Sequence, residues 1–372
     1  MRLTDITLAN FKNIGQATLE FSPKINGFIG DNGMGKSNLL DALHTMSFCK
    51  SFTGVADSML IRSGETFAMV KARYERLGAD EELSLGLTPG RRKSLRRGGK
   101  EYQRLSDHIG LFPLVLAAPG DTELVRGLGE ERRRWMDMVI AQGDRRYLEA
   151  LIRYREALEQ RNRLLRDARG GMPDSSLLDA VGMQMEAPAR YIHAARGEWT
   201  RRLQTLFAEF YADIAGEGAE SVGLTFRGSL DESPDGSLAA LLERSLRRDA
   251  AVGHTTAGPH RDDIDMSLNG MPMKRTASQG QCKTFTTALR LAQYRFLEQS
   301  AGMAPLLLLD DILDKLDAGR VERIVALVTG PGFGQIFITD TNRAHLDEII
   351  GRAGGDHRLW RVEHGAFTPL HS

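Results

Sequence analysis

Near the start of the chain, Gly30-Asp31-Asn32-Gly33-Met34-Gly35-Lys36-Ser37 sets two glycines four residues apart and follows them with Lys and Ser. This run lies between a strand pattern and a helix pattern, where such a loop turns its backbone amides inward around polyphosphate oxygens. The helix N-terminus beyond the loop favours negative charge. In this reading Lys36 bridges the terminal phosphates of a nucleoside triphosphate and the Ser37 hydroxyl ligates magnesium. The plain alternative is a glycine-rich turn with a chance lysine.

A second set of chemically capable residues ends an apolar run, Leu306-Leu307-Leu308-Leu309-Asp310-Asp311. Four leucines after Pro305 read as a strand covered on both faces in a parallel sheet. Acids at its C-terminal end stand where open α/β sheets bind ligands. Asp310 then holds the magnesium shell, and Asp311 orients or deprotonates a water attacking the γ-phosphate. Taken alone, paired acids after an apolar run are commonly strand-end caps.

Ala277-Ser278-Gln279-Gly280-Gln281 opens a helix running into Leu289 and Leu291, and a Ser and a Gly there make a second anion-binding corner. One nucleotide does not need two such corners from one chain. The economical arrangement is a dimer in which each copy caps the other's ATP.

The elements that must position these groups are legible in outline. Residues 3–29 alternate as strands, and Leu39, Leu40, Ala42, Leu43 and Met46 give a helical pattern. Stretches 67–76 and 82–97 read as antiparallel strands turning at Gly98-Gly99. After Glu130 the period changes: Tyr147, Leu151, Tyr154, Leu158, Arg161 and Leu165 form a heptad-like seam with one charged slot, ended at Gly170-Gly171-Met172-Pro173. A helix from Ser175 to Ala215 follows, so the pair reads as an antiparallel helical hairpin forming a short lid or arm. A strand at Val222–Phe226, a hairpin on Asn269-Gly270, the helix 281–299, the helix 317–328, the strand 335–339 and a terminal hairpin at His364-Gly365 complete the outline.

The expected fold is α/β: an ABC-type P-loop ATPase head, a mixed sheet plus an antiparallel β subdomain, with an inserted α-helical lid. The expected division is 1–129, the N-terminal part of the head; 130–250, the helical insertion; and 251–372, the C-terminal part. About 270 residues between loop and acidic strand require such an insertion.

Composition excludes several classes. The 372 residues carry 49 basic and 49 acidic side chains, with 41% hydrophobic and 26% charged residues, as in an ordinary globular protein. No apolar run approaches the ~20 residues that span a bilayer, and Met1-Arg2-Leu3-Thr4-Asp5 has no signal-peptide form, so a cytoplasmic location is expected. Two cysteines, Cys49 and Cys282, neither make a disulfide framework nor supply four zinc ligands. Of the basic residues 39 are Arg, consistent with a GC-rich genome. Between Arg91 and Arg169 there are 19 basic and 12 acidic residues, a surplus of seven that suits either phosphate backbone or a solvated helix face.

The order phosphate loop, Ser278-Gln279-Gly280, acidic strand, Lys315-Leu316-Asp317 and Thr339-Asp340-Thr341 resembles the ABC-type ATPase heads of the SMC and recombination-repair group. Within it, Asn10-Phe11-Lys12-Asn13-Ile14, Cys49-Lys50-Ser51-Phe52, Pro119-x-Asp121 with Arg132-Arg133 and Asp137, and Gly258-Pro259-His260-Arg261-Asp262-Asp263 resemble the RecF family over nearly the whole chain. That resemblance implies a nucleoid-associated protein of the DNA-damage (SOS) response that binds ATP and Mg2+, dimerises on ATP and hydrolyses it weakly under DNA stimulation. It implies binding of double- and single-stranded DNA at gapped junctions, and work with RecR and RecO to load RecA. It also implies that Gly30–Ser37 holds ATP-Mg, that Ser278 and Gly280 cap the partner copy's γ-phosphate, and that Asp317 lies on the dimer seam.

Gly258–Asp263 has no chemical role assignable from sequence beyond a turn fixed by Pro259 with an Arg–carboxylate pairing. Three positions depart from the family pattern: Gly120 replaces an acid, Cys282 replaces a Gln, and Asp340 stands where transporters place a histidine. This leaves Thr339, Asp340 and Thr341 as alternative γ-phosphate sensors. Rival readings are a small-molecule kinase or GTPase, which leaves Ser278–Gln281 unexplained and lacks an Asn-Lys-x-Asp guanine reader, and a transporter subunit, which typically carries a Gly-Gly signature and an Asp-Glu strand end. A clamp with negligible hydrolysis uses the same residues.

Overall fold

A computed structural model describes residues 1–168, 171–233, 235–314, 316–353 and 356–370. Gly170 and Lys315 of the motifs above lie outside the described residues. In chain order the first elements are β1 (Arg2–Phe11), β2 (Ile14–Glu20), β3 (Ile25–Ile29), α1 (Lys36–Phe48), β4 (Ala68–Arg76), β5 (Ala79–Leu87), β6 (Ser94–Arg97), β7 (Lys100–Glu101) and β8 (Leu114–Ala117). Then come α2 (Thr122–Arg126), α3 (Gly129–Gly143), α4 (Arg145–Asp167), α5 (Ser175–Ala215), β9 (Val222–Arg227), α6 (Leu238–Val252), β10 (Asp263–Leu268), β11 (Met271–Pro272) and α7 (Met273–Thr276). The chain ends with α8 (Gln279–Ala301), β12 (Leu306–Asp310), α9 (Ala318–Thr329), β13 (Ile336–Asp340), α10 (Arg343–Ala353), β14 (His357–Glu363) and β15 (Ala366–Leu370).

Two compact units result: residues 1–121, 210–218 and 279–372, and residues 122–209 with 219–278. The bounds of these units fall at 121, 209, 218 and 278. Residues 251–278 pack with the helices because β10 pairs along its length with β9.

The first unit holds two six-stranded sheets. One is antiparallel, in the order β2-β1-β4-β5-β6-β7; the other runs β15-β14-β3-β13-β12-β8, parallel except for its β15 edge. Strands β12 and β13 are buried at every residue, as continuous apolar runs in a covered parallel sheet should be. One apolar core joins the two sheets and α1: the fully buried Leu39, Leu40, Leu43 and Met46 of α1 share it with Leu3, Ile6 and Leu8 of the antiparallel sheet and Leu306 and Leu308 of the parallel one. Helix α8 is buried on nearly all sides. Its Arg290 grips Asp121 with both carboxylate oxygens, at 2.5 and 2.9 Å, which explains the Pro119-x-Asp121 motif as an anchor of the turn after β8. A side chain at Gly120 would enter open space, so the missing acid costs that turn nothing. Cys282 is fully buried, a place for a small apolar side chain.

The second unit is helical with a three-stranded sheet, β11-β10-β9. The seam on α4 is real: Tyr147, Leu151, Tyr154 and Leu165 are buried. Its charged slot, Arg161, donates to Asp249 and Thr255, each at 2.8 Å. Helix α5 runs 41 residues from Ser175 to Ala215, the span expected, about 60 Å at 1.5 Å per residue. Met185, Ile192, Leu203, Phe207 and Ile214 are among its fully buried apolar residues. The hairpin at Asn269-Gly270 forms, but β11 lasts two residues before α7.

Candidate nucleotide-binding site

Strand β3 delivers the 30–37 loop to the C-terminal edge of the parallel sheet, and α1 starts at Lys36. Asp31, Asn32 and Gly33 form the exposed tip, while Gly35 and Lys36 are buried. Gly35 holds φ +116, and a Cβ there would press the Asn13 amide at 2.8 Å, so no other residue fits. The Lys36 ammonium donates to the loop's own Gly30 and Asp31 carbonyls, at 2.6 and 3.1 Å. It is thus held across the loop mouth.

Two neighbouring strand ends complete the group. Strand β13 lies between β3 and β12 in the sheet, so Thr339 and Asp310 end beside the loop. Ser37 Oγ donates to Asp310 Oδ1 at 2.8 Å, and Thr339 Oγ1 donates to the same oxygen at 2.7 Å. Asp311 adopts a left-handed backbone at φ +45, with its amide on the Thr339 hydroxyl at 3.1 Å. Burial pushes the Asp310 carboxyl above its usual range, against the Thr339 and Ser37 hydrogen bonds and the Lys36 charge. Burial also raises Asp311; Lys36 opposes this, and the Asp310 and Asp340 charges add to it. A buried carboxylate satisfied only by two hydroxyls, beside a serine hydroxyl and a lysine, has the hard oxygen chemistry of a magnesium–phosphate site.

The second predicted corner gathers around a different side chain, Arg320. Gly280 begins α8 with its Cβ position 3.3 Å from the Arg320 guanidinium. Asp317 caps α9, accepting the Arg320 amide at 2.9 Å and pairing with its guanidinium at 3.2 Å. Ser278 and Gln279 are exposed. At the third position Asp340 accepts the Asn342 amide at 2.7 Å, Thr341 is exposed, and Thr339 is the residue whose hydroxyl reaches Asp310.

Some supports were invisible as chemistry in the sequence. Asn13 donates to the Met34 carbonyl at 3.2 Å and accepts from Asn38 at 2.8 Å, bracing the loop from the first hairpin. Lys12 pairs at 2.5 Å with the fully buried Asp41 of α1, which also accepts Ser51 Oγ at 2.7 Å and the Phe52 amide at 2.8 Å. These contacts account for the Asn10–Ile14 and Cys49–Phe52 motifs. Gly365, in the β14–β15 turn, donates to Met34 O at 2.7 Å. At φ +80 its Cβ position would collide with the Asn13 carbonyl, so the terminal hairpin closes on the loop only through a glycine.

In the second unit the Gly258–Asp263 stretch is pinned, not catalytic in appearance. Arg196 of α5, 2% exposed, donates to Asp262 at 2.7 Å, Asp137 at 2.8 Å and the Pro259 carbonyl at 2.6 Å. Arg132 forks onto Asp263 at 2.6 and 2.9 Å, and Arg133 donates to the Asp262 carbonyl. The turn fixed by Pro259 and an Arg–carboxylate pairing is what forms.

A P-loop ATPase head, split by a helical insertion and carrying an antiparallel β subdomain, is the class this fold and site define. The family model for the RecF/RecN/SMC N-terminal domain matches residues 2–350. A protein from Parabacteroides distasonis named DNA replication and repair protein RecF is 45% identical over all of both chains. Another of that name, from Porphyromonas gingivalis, is 47% identical over 98% of this chain and 99% of its own. A solved structure of the recombination mediator protein RecF-ATPrS in the RecFOR pathway superposes with a TM-score of 0.88 at 26% identity, covering 100% of this chain and 98% of its own. An Smc head domain from Pyrococcus furiosus shares the fold, with a TM-score of 0.58 at 17% identity, over 99% and 95% of the two chains. The chain belongs to the RecF/RecN/SMC family and, within it, to the RecF family of DNA replication and repair proteins.

Proposed function

We propose that this chain is an ATP-dependent DNA-binding switch of recombinational repair and replication restart, working in the cytoplasm on the nucleoid. The observation that carries the reading is the junction of Ser37, Asp310 and Thr339 beside the Lys36 ammonium. Gly30, Asp31, Asn32, Gly33, Met34 and Gly35 present backbone amides to the phosphates, and Lys36 moves from the loop carbonyls to the terminal phosphates. Ser37 and Asp310 fit a magnesium ion, which would draw its other ligands from phosphates and water and neutralise developing charge. Asp311 positions the attacking water, with Thr339 beside it as the sensor of the γ-phosphate. Ser278, Gln279 and Gly280 cap the nucleotide of a second copy, and Asp317 faces that copy.

In this account hydrolysis is weak, stimulated by DNA, and serves to release the dimer. The partners are double- and single-stranded DNA at gapped junctions and RecR, with RecO and RecA reached through it; support comes from the RecF relatives and from the RecFOR pathway named for the solved structure. Lys36→Arg should abolish turnover and weaken ATP-dependent dimerisation, read by phosphate release and by light scattering. Wild-type hydrolysis in that variant would refute the assignment.

A further inference from the structure

The basic surplus of residues 91–169 divides once side chains are placed. In the helical part six of the arginines meet carboxylates, while Arg126, Arg146, Arg153 and Arg166 are exposed without one among the described residues. Arg132, Arg155 and Arg161 meet Asp263, Asp137 and Asp249, Arg134 meets Glu130 and Glu131, and Arg145 and Arg163 meet Glu149 and Glu159. The β5–β6–β7 edge of the antiparallel sheet carries more such residues. Arg91, Arg92, Lys100 and Arg104 are exposed, as is Lys50 at the end of α1. Among the described residues none of these five has a carboxylate partner.

The contacts place them on one edge. Arg92 donates to the Gln103 carbonyl at 3.1 Å, setting it beside Arg104. Lys93 donates to the Cys49 carbonyl at 2.6 Å, which brings Lys50 to the same end. Lys100 pairs across the hairpin with Arg97 at the other end. The acids nearby are engaged: Asp57 by Lys93, Glu101 by Arg96 and Glu81 by Arg97. Strand β6, Ser94–Arg97, separates the two ends by about 10 Å at ~3.4 Å per residue, the rise of about three base pairs of duplex. Gly98 and Gly99, at the tip, have open space around them.

We propose that this edge, formed by Lys50, Arg91, Arg92, Lys100 and Arg104, is a binding site for the phosphate backbone of duplex DNA. The inference rests on the DNA-binding part of the proposed function and locates it. Exposed cations without carboxylate partners at the two ends of one hairpin contact phosphates without reading bases, so their energy is counterion release and steeply salt-dependent. An acidic protein surface is the competing occupant.

The test uses the full chain, a fluorescent duplex of mixed sequence and a series of salt concentrations. Replacing Arg91, Arg92, Lys100 and Arg104 together by Gln should lower the slope of log affinity against log salt by about three to four, close to one per lost phosphate contact. ATP binding should stay at the wild-type level, which shows that the head is intact. Arg91→Lys, Arg92→Lys and Arg104→Lys together should restore wild-type binding, because the charge is kept. A wild-type slope in the Gln variant overturns the proposal, and the same result with lost binding to polyglutamate would assign the edge to an acidic protein. A wild-type chain that binds no duplex overturns both this site and the DNA-binding reading beneath it, whereas a wild-type chain that binds and a Gln variant that also binds overturn only the site.

Discussion

The helical unit and the nucleotide site handle buried carboxylates in opposite ways. In the helical unit Asp137, Asp262 and Asp249 each receive a guanidinium, and Arg196 joins two of them to a backbone carbonyl. In the nucleotide site Asp310 receives two hydroxyls and, among the described residues, no guanidinium, although it is as deeply buried. A carboxylate neutralised by arginine is a strut, because its charge is already satisfied. One held only by hydroxyls keeps its attraction for a cation supplied from outside. This difference, more than the presence of acids, separates structure from site.

The largest test of the contrast is Arg196→Leu. It strands Asp137 and Asp262 without a cation in the interior, a loss of about 3–5 kcal/mol for breaking one side of a buried pair. Denaturant unfolding measures it, and a loss below about 1 kcal/mol would show that the network is ornamental. Gly365→Ala comes next: a left-handed residue pressed on the Asn13 carbonyl should cost about 1–3 kcal/mol and weaken ATP binding, since the turn holds Met34. Unchanged nucleotide affinity would remove the terminal hairpin from the site.

Smallest is Asp310→Asn, and its sign is opposite. The folded carboxyl is raised above its unfolded value, so the native state holds the proton more tightly. Stability from this group is therefore present at low pH and declines as pH rises from the unfolded value through the folded one. Asparagine removes that decline, and the variant should unfold no more easily than wild type at neutral pH while losing magnesium-dependent ATP binding. A destabilised Asp310→Asn would mean that Asp310 is a strut after all.

How much of this was legible beforehand follows from the same physics. Local signals carried the loop, the acidic strand and the α4 seam, because glycine spacing, a covered apolar run and helical period are written within a few residues. The strand β3–β13–β12 neighbourhood that makes Thr339 the partner of Asp310 is a matter of sheet order, which no local pattern specifies. Asn13 and Gly365 act on Met34 from 21 and 331 residues along the chain in opposite directions, and neither contact is written in a local pattern. The span of α5, Ser175–Ala215, was legible as well, because its apolar positions keep a helical period throughout. The basic run misled in part: its arginines are similar in sequence, and only the placed side chains distinguish those that meet carboxylates, such as Arg97 and Arg132, from those that do not, such as Arg91 and Arg104.

The central claim is that two copies close over ATP, each completing the other's site with Ser278, Gln279 and Gly280. Size-exclusion with light scattering on wild type and on Asp311→Asn, with and without saturating Mg-ATP, tests it most directly. The account predicts a monomer's mass without nucleotide, a doubled mass with it, and a longer-lived dimer for Asp311→Asn. A single-chain mass for both proteins at saturation would contradict it.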